Sequence, residues 1–326
     1  MLTYDELLRR RDAPAGSSWG LFGAGDEVGS LNFTNPERVL AASRAVRKGT
    51  TFNLDLPLDA FEAPLFKHRR NPTHTIFSNA PHHRDDYLDG FYPQASSQID
   101  GLRHMRHPLH RFYNAVPEEA VVAGSPTLGV NRLAEHCIVG RGLLLDVARH
   151  LEARGRSIDH AAGEAFGAEL LNEVCDAQKS PPRPGDILLV RTGWISHYFG
   201  VRTAEQRQAF SSDVRASGLV QSHATLRWLW DHQFSVVAFD NVGVEALPSV
   251  ADSPFVVHDE AGTRVSSGLM HPFLIGLMGL ILGELWNLDA LADDCSADGV
   301  YECLLVAKPL NLIGGVGSPS NVTAIK

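Results

Sequence analysis

The segment Asp186-Ile187-Leu188-Leu189-Val190 decides the class of fold. Its apolar residues follow one another without polar alternation and stand between turn-forming residues, which is typical of a strand buried on both faces. Three other short runs have the same form, at residues 142–146, 235–239 and 303–306. The sequence therefore predicts a sheet whose central strands are covered on both sides.

Helical patterns alternate with these runs. Asn35 followed by Pro36 predicts a helix start, and Gly49 marks its end. Apolar spacing indicates two further helical stretches: Phe166, Leu170 and Val174, and residues 226–230. Strands mixed with helices predict an α/β fold with a mixed sheet core and flanking helices, although the strand order stays open. Because no internal repeat or linker interrupts the chain, we expect residues 1–326 to form a single catalytic domain.

Composition narrows the class of protein. The 326 residues are 44% hydrophobic and 21% charged, as in an ordinary folded protein, and the net charge of −9 disfavours binding to nucleic acid or an anionic membrane. The four cysteines form no C-x-x-C pair, which favours reduced, buried thiols in the cytoplasm. The amino terminus has no secretory pattern, and the longest apolar run, residues 273–282, is too short to cross a bilayer. The 15 histidines point towards proton transfer or metal binding.

The densest polar segment covers residues 94–104. In an extended strand Gln94, Gln98 and Asp100 would project from one face, and a turn at Gly101 could bring His104 back towards them. Such a cluster offers hard oxygen donors and one imidazole, which suit metal binding or acid–base chemistry. A structural hydrogen-bond role for the same residues remains open.

A second polar pair, His271 and Glu284, flanks the long apolar run. Thirteen residues separate them, so an unbroken helix would place them on different faces. If they converge, the helix must break, and Gly276 or Gly279 is the predicted place. The alternative is a helix-start histidine and an exposed glutamate.

The chain resembles the metal-dependent cyclase family, which includes kynurenine formamidases and isatin hydrolases. The resemblance covers nearly the whole chain and rests on several ordered segments: Trp19-Gly20 with Asp26-Glu27-Val28-Gly29-Ser30-Leu31-Asn32, Ile138-Val139-Gly140-Arg141-Gly142, Gly185-Asp186-Ile187-Leu188-Leu189-Val190-Arg191-Thr192-Gly193-Trp194, Asp240-Asn241 with Glu245, and Gly317-Ser318-Pro319. It implies the family's swivelling β/β/α fold and a divalent-metal site.

The family signature H-x-G-T-H-x-D-x-P-x-H aligns with residues 94–104 of this chain. Asp100 matches its metal-binding aspartate and His104 its final, proton-transferring histidine, whereas Gln94 and Gln98 replace the two leading histidines. The resemblance implies that Asp100, His271, Glu284 and Gln98 hold the metal. It also implies that Gln94 and Ser97 contact the substrate. Because an amide oxygen is a poorer zinc ligand than imidazole, we expect manganese or zinc, with the preference moved towards harder cations.

The implied activity is metal-dependent hydrolysis of a carbon–nitrogen bond in an amide, formamide or cyclic amide, with His104 as the base. Two alternatives remain open. One is a ring-closing cyclase or lyase, or a lactone hydrolase, acting on a polyketide-like substrate. The other is a metal-poor binding protein on the same fold. A serine-nucleophile mechanism is disfavoured because Gly-x-Ser-x-Gly is absent. We expect a small-molecule substrate and a homo-oligomer, either a dimer or a tetramer.

Overall fold

A mixed sheet of nine strands runs through the centre of the computed structural model, which describes residues 1–326. The strands of the chain are β1 (Thr51–Asn53), β2 (Thr73–Ala80), β3 (His83–Asp89), β4 (Gln98–Asp100), β5 (Ile138–Asp146), β6 (Ala165–Phe166), β7 (Ile187–Arg191), β8 (Gly218–Leu219), β9 (Val236–Phe239), β10 (Ile281–Glu284), β11 (Glu302–Ala307), β12 (Gly317–Pro319) and β13 (Val322–Ile325). The strand order of the nine-stranded sheet is β1-β13-β11-β5-β7-β9-β10-β4-β12. A hairpin (β2 and β3) and a short parallel pair (β6 and β8) lie outside it.

The four predicted apolar runs are confirmed as strands β5, β7, β9 and β11. β5, β7, β9 and β10 are parallel and form the middle of the sheet, where almost every residue is buried. β11 pairs with β5 in the antiparallel direction. On its other side β11 pairs with β13, and β13 pairs with β1 at the edge of the sheet. The alternation of parallel strands and helices confirms the predicted α/β class.

Helices flank this sheet, and the predicted start of α2 (Pro36–Ser43) is confirmed. Asn35 accepts a hydrogen bond from the Arg38 backbone N–H at 2.8 Å, and Pro36 occupies the first turn. α2 ends at Ser43, earlier than predicted. Phe166 belongs to β6 and not to the helix that follows, because Gly167 separates the two elements. The helices are α1 (Tyr4–Leu8), α2 (Pro36–Ser43), α3 (Val130–His136), α4 (Val147–Glu152), α5 (Ala168–Gln178), α6 (Trp194–Gly200), α7 (Ala204–Ala209), α8 (His223–Asp231) and α9 (Asp289–Asp298).

β4 is the strand that positions the polar segment. It pairs with β10 on one side and with β12 on the other, both antiparallel, so its three residues are fixed in register. Ile99 is fully buried on the face opposite to Gln98 and Asp100. Burying such a side chain contributes roughly 1.5–3 kcal/mol, which anchors the strand with its polar residues on the other face.

The expectation of four buried thiols needs one correction. Cys175, Cys295 and Cys303 are buried as expected, but Cys137 is exposed because it ends α3 at the protein surface. The longest helix has 11 residues, and no helix combines the length and apolar character needed to cross a membrane.

Candidate metal centre

The candidate site lies where β10 ends. Glu284 is the last residue of β10 and stands directly opposite Gln98 of β4, while Asp100 pairs with Leu282. Since alternate residues of a strand share a face, Gln98 and Asp100 project to the same side. All three side chains are buried: Gln98, Asp100 and Glu284 are 1%, 0% and 4% exposed.

His271 reaches the same point from the other end of the apolar run. The run does not form one helix, because a π-helix (Pro272–Leu277) is followed by Gly279 and then β10. Gly279 has φ +68°, and a Cβ there would overlap the ring of Tyr113. The break that the spacing demanded therefore lies at Gly279, and His271 Nε2 comes to 3.1 Å from Glu284 Oε1.

Asp100, His271 and Glu284 each point one potential ligand atom into a common space. These three atoms lie within 4.8 Å of one another. Asp100 Oδ2 is buried and has no hydrogen-bond partner, although a buried carboxylate oxygen without a partner is costly. Burial is the largest cause that raises the pKa of Glu284, and the negative charge of Asp100 is the second. The donor set of two carboxylates and one imidazole thus fits a divalent cation such as Mn²⁺ or Zn²⁺.

Glu245 also belongs to the candidate site, although the sequence alone did not indicate its contact with His271. Its carboxylate is fully buried and lies 2.6 Å from His271 Nδ1. Burial alone would lower the pKa of His271, but its hydrogen bonds to Glu245 and Glu284 raise that pKa well above the ordinary value. An N–H on Nδ1 that donates to Glu245 leaves Nε2 as the ligand nitrogen, so Glu245 fixes the orientation and tautomer of the ring. Glu245 did appear among the segments that carry the family resemblance, and that was the available signal.

The predicted turn at Gly101 brings His104 to this cluster. The His104 backbone N–H donates to the Gly101 carbonyl at 2.9 Å, and His104 Nε2 lies 3.7 Å from Asp100 Oδ2. Burial lowers the pKa of His104, although the charge of Asp100 opposes this shift. The His104 side chain keeps 22% exposure, whereas that of Asp100 keeps 1%, so the imidazole lies between the buried carboxylate and solvent.

Gln94 joins the cluster by a route that strand parity did not predict. It precedes β4 and lies outside any strand, but its amide nitrogen lies 3.1 Å from His104 Nδ1 and donates to Asp100 Oδ1. Gln98 also differs from the expectation of an oxygen ligand. Its amide nitrogen donates to Glu284 Oε2 at 2.5 Å, while its oxygen accepts from Arg69 at 3.3 Å. In this arrangement Gln98 positions the carboxylates, and its amide oxygen is not directed to the cluster as a further metal ligand.

Ser97 is not brought to the cluster. It lies on the opposite side of the chain from Gln98, 3% exposed, and its hydroxyl donates to the Leu285 carbonyl at 2.5 Å and accepts from the Leu56 N–H at 2.8 Å. Both hydrogen bonds are to the backbone, so the Ser97 hydroxyl links its own segment to those of Leu56 and Leu285. It is therefore not available for the predicted contact with the substrate. Arg69 was not among the predicted site residues, but its guanidinium donates to the Gln94 carbonyl and to the Gln98 side-chain oxygen.

A surface cavity of about 610 Å³ lies elsewhere. It is lined by residues of α2 and by the end of α3, including Pro36, Leu40 and Cys137. Its lining is mostly apolar and contains no carboxylate. The convergence of buried donors, and not cavity size, therefore identifies the candidate site.

Comparisons with known proteins agree with this arrangement of elements. A family model described as "Putative cyclase" matches residues 52–246. A crystal structure of a novel cyclase is 31% identical, with 95% of this chain and 99% of that chain covered and a TM-score of 0.81. Isatin hydrolase A from Ralstonia solanacearum (16% identity, 90% and 98% covered, TM-score 0.57) and isatin hydrolase A from Labrenzia aggregata bound to benzyl benzoate (17%, 88% and 97%, 0.53) share the fold. No curated protein matches the chain.

Proposed function

Since this chain belongs to the cyclase family, we propose that it is a metal-dependent hydrolase that cleaves a carbon–nitrogen bond of an amide, formamide or cyclic amide. The observation that carries the proposal is the convergence of Asp100, His271 and Glu284 around a buried, unpartnered carboxylate oxygen. A purely structural cluster would have its buried oxygens paired with donors of the chain itself.

The residues of the site have different roles in the proposed hydrolysis. Asp100, Glu284 and His271 Nε2 hold the cation, and Glu245 holds the His271 ring in place. When bound in such a site, a divalent cation polarises a carbonyl and lowers the pKa of water. His104 accepts a proton from water and returns it to the leaving nitrogen, since it is the imidazole beside Asp100 that solvent can reach.

Gln94 supports that role of His104. Its amide nitrogen stands between Asp100 Oδ1 and His104 Nδ1, so it restricts the rotation of the imidazole. A base held in one orientation transfers protons more efficiently than a freely rotating one. Gln94 is partly exposed, which also lets its side chain contact a substrate at the edge of the cluster.

Metal analysis and a turnover assay test the proposal. We expect the purified protein to contain a divalent metal, or to bind manganese or zinc in a calorimetric titration. We further expect hydrolysis of at least one member of a panel of formamides, cyclic imides and lactones. His104→Ala should abolish this turnover, while His110→Ala, a nearby histidine outside the cluster, should leave it unchanged. Full activity of His104→Ala would exclude the assigned base.

Ring closure is the second candidate, favoured by the family description and by the 31% identical novel cyclase. A divalent cation held by the same residues would stabilise an enolate in that reaction. Water labelled with ¹⁸O separates the two, because hydrolysis places the label in the product and cyclisation without hydrolysis does not. A protein that neither binds a divalent cation nor gains activity with one would instead favour a binding function.

A further inference from the structure

A second surface pocket, of about 420 Å³, lies beside α6 and α7. Three side chains that can donate hydrogen bonds to an anion line it: His197 of α6, Arg202 between the two helices, and Arg215 beyond α7. Asp213 is the one carboxylate of the lining. The pocket shares no residue with the candidate metal centre, so its side chains need an explanation of their own.

Arg202 carries a charge that the chain itself does not pair. Its guanidinium lies over the Phe210 ring, with Cζ 4.9 Å from the ring centroid, and its Nε is buried without a hydrogen-bond partner. Burial is the largest influence on Arg202 and lowers its pKa, and no hydrogen bond from a carboxylate opposes this shift. A charged side chain that is withdrawn from water is ordinarily paired. The stacked guanidinium is therefore available to an anion from outside the chain.

Arg215 and Asp213 form an ion pair that still leaves donors free. Arg215 Nε donates to Asp213 Oδ2 at 2.8 Å, and this bond does not engage the two terminal nitrogens of the guanidinium. Two guanidinium groups against one carboxylate give the lining a net charge of +1, although the whole chain carries −9. The pocket is thus locally basic on an acidic protein, which favours an anionic ligand there.

Two further polar atoms beside the pocket lack a partner within the chain. The Tyr198 hydroxyl is buried and unpaired, and the Tyr198 ring packs edge-on against Phe210 with centroids 5.5 Å apart. His160 Nδ1 is also buried and unpaired, and the His160 ring lies 5.0 Å from that of His197. Together with Arg202 Nε, three such atoms collect around one pocket. Since folded chains pair nearly all of their buried polar groups, this concentration favours a binding site over ordinary packing.

We propose that this pocket binds the phosphate group of a small phosphate monoester. Guanidinium groups recognise phosphate through parallel hydrogen bonds, and a phosphate offers three acceptor oxygens to the donors of His197, Arg202 and Arg215. A carboxylate offers only two. The lining also contains apolar side chains, among them Val201 and Phe210, and its volume lies within the range of small-molecule sites. The organic part of the ester packs against these apolar side chains.

Calorimetric titration of the purified protein with phenyl phosphate, in a buffer free of phosphate, tests the proposal. We expect one ester to bind per chain, with a Kd about tenfold or more below that of inorganic phosphate, because the phenyl ring buries apolar surface. Arg202→Gln should raise the Kd for phenyl phosphate by about tenfold or more, since it removes charge-assisted hydrogen bonds. Arg84→Gln is the matched control, because Arg84 is exposed on the hairpin of β2 and β3, and it should leave the Kd unchanged.

Two further variants keep the result decisive. Arg215→Gln removes the second guanidinium from a different segment, and it should also raise the Kd, even where Arg202→Gln lowers the melting temperature. Asp100→Asn alters the metal centre, to which a phosphate could otherwise bind, and it should leave the Kd unchanged.

Four outcomes would overturn the proposal. The first is no binding of phenyl phosphate up to about 10 mM. The second is binding that Arg202→Gln and Arg215→Gln leave intact, and the third is binding that Asp100→Asn abolishes. The fourth is benzoate or inorganic phosphate that binds as tightly as phenyl phosphate, which would exclude a phosphate monoester as the ligand.

Discussion

Replacing Glu245 by glutamine tests how the His271 ring is held. The Glu245 carboxylate accepts four hydrogen bonds: from the backbone N–H groups of Met270 and His271 at 2.7 and 3.0 Å, from His271 Nδ1 at 2.6 Å, and from Gln221 at 2.9 Å. Each oxygen serves two donors, so either orientation of the new amide leaves two donors facing an NH₂ group. At about 1–3 kcal/mol for each unsatisfied buried group, the two donors together should lower the free energy of unfolding by about 2–6 kcal/mol.

The same change should weaken metal binding. Removing the hydrogen-bond partner of a ligand histidine costs about 10–100-fold in metal affinity, or about 1.4–2.7 kcal/mol. Calorimetric titration of chelator-treated protein with Mn²⁺ gives the affinity, and urea unfolding gives the stability. Asp186→Asn is the control, because Asp186 is a buried carboxylate that pairs with Arg141 at 2.6 Å, away from the cluster. It should reduce stability while leaving the Kd for Mn²⁺ unchanged.

Two results would refute this reasoning about Glu245. One is a folded Glu245→Gln protein whose Kd for Mn²⁺ stays within about threefold of wild type, which would mean that the carboxylate does not position the ligand nitrogen. The other is a loss of stability below about 1 kcal/mol, which would mean that the four donors find other acceptors.

Three further changes have definite expected outcomes. Gln98→His places an imidazole beside Glu284 and should raise zinc affinity at least about tenfold in a competition titration. Burial lowers the pKa of His160 to about 4, so an unfolded chain binds the proton first as the pH falls below about 6.5. Through this group, wild type should lose about 2 kcal/mol of its free energy of unfolding when the pH falls from 7 to 5. Urea unfolding should show that His160→Gln lacks this part of the pH dependence. Gly279→Ala forces a Cβ against the Tyr113 ring at positive φ, and its melting temperature should fall by several degrees.

The central fold could be predicted because its signals are local. Continuous apolar runs identify strands of a parallel sheet, and the cap formed by Asn35 and Pro36 identifies the start of α2. Phe166 was placed wrongly because helical spacing cannot show that a strand ends at Gly167. The hairpin of β2 and β3 was not predicted, since polar residues clearly outnumber apolar ones between 73 and 89 and the segment resembles a loop.

The site was predictable only where adjacent residues determine it. The turn at Gly101 and the break before β10 follow from single glycines, so the approach of His104 and of His271 to the carboxylates could be inferred. The position of Gln94 could not, because it depends on Arg69, 25 residues earlier. Glu245 reaches His271 across 26 residues that contain no helix or strand, and no spacing rule encodes such a contact.

The register of β4 constrains how the length of this chain can change during evolution. Three residues hold the strand between β10 and β12, and its two cluster residues alternate with buried Ile99. A single inserted residue would turn Gln98 and Asp100 into the core and Ile99 towards the polar cluster, because strand faces alternate at every step. Insertions and deletions in descendants of this gene should therefore collect in exposed loops such as residues 153–157. Between Gln94 and Gly101 selection should admit substitutions but not changes of length.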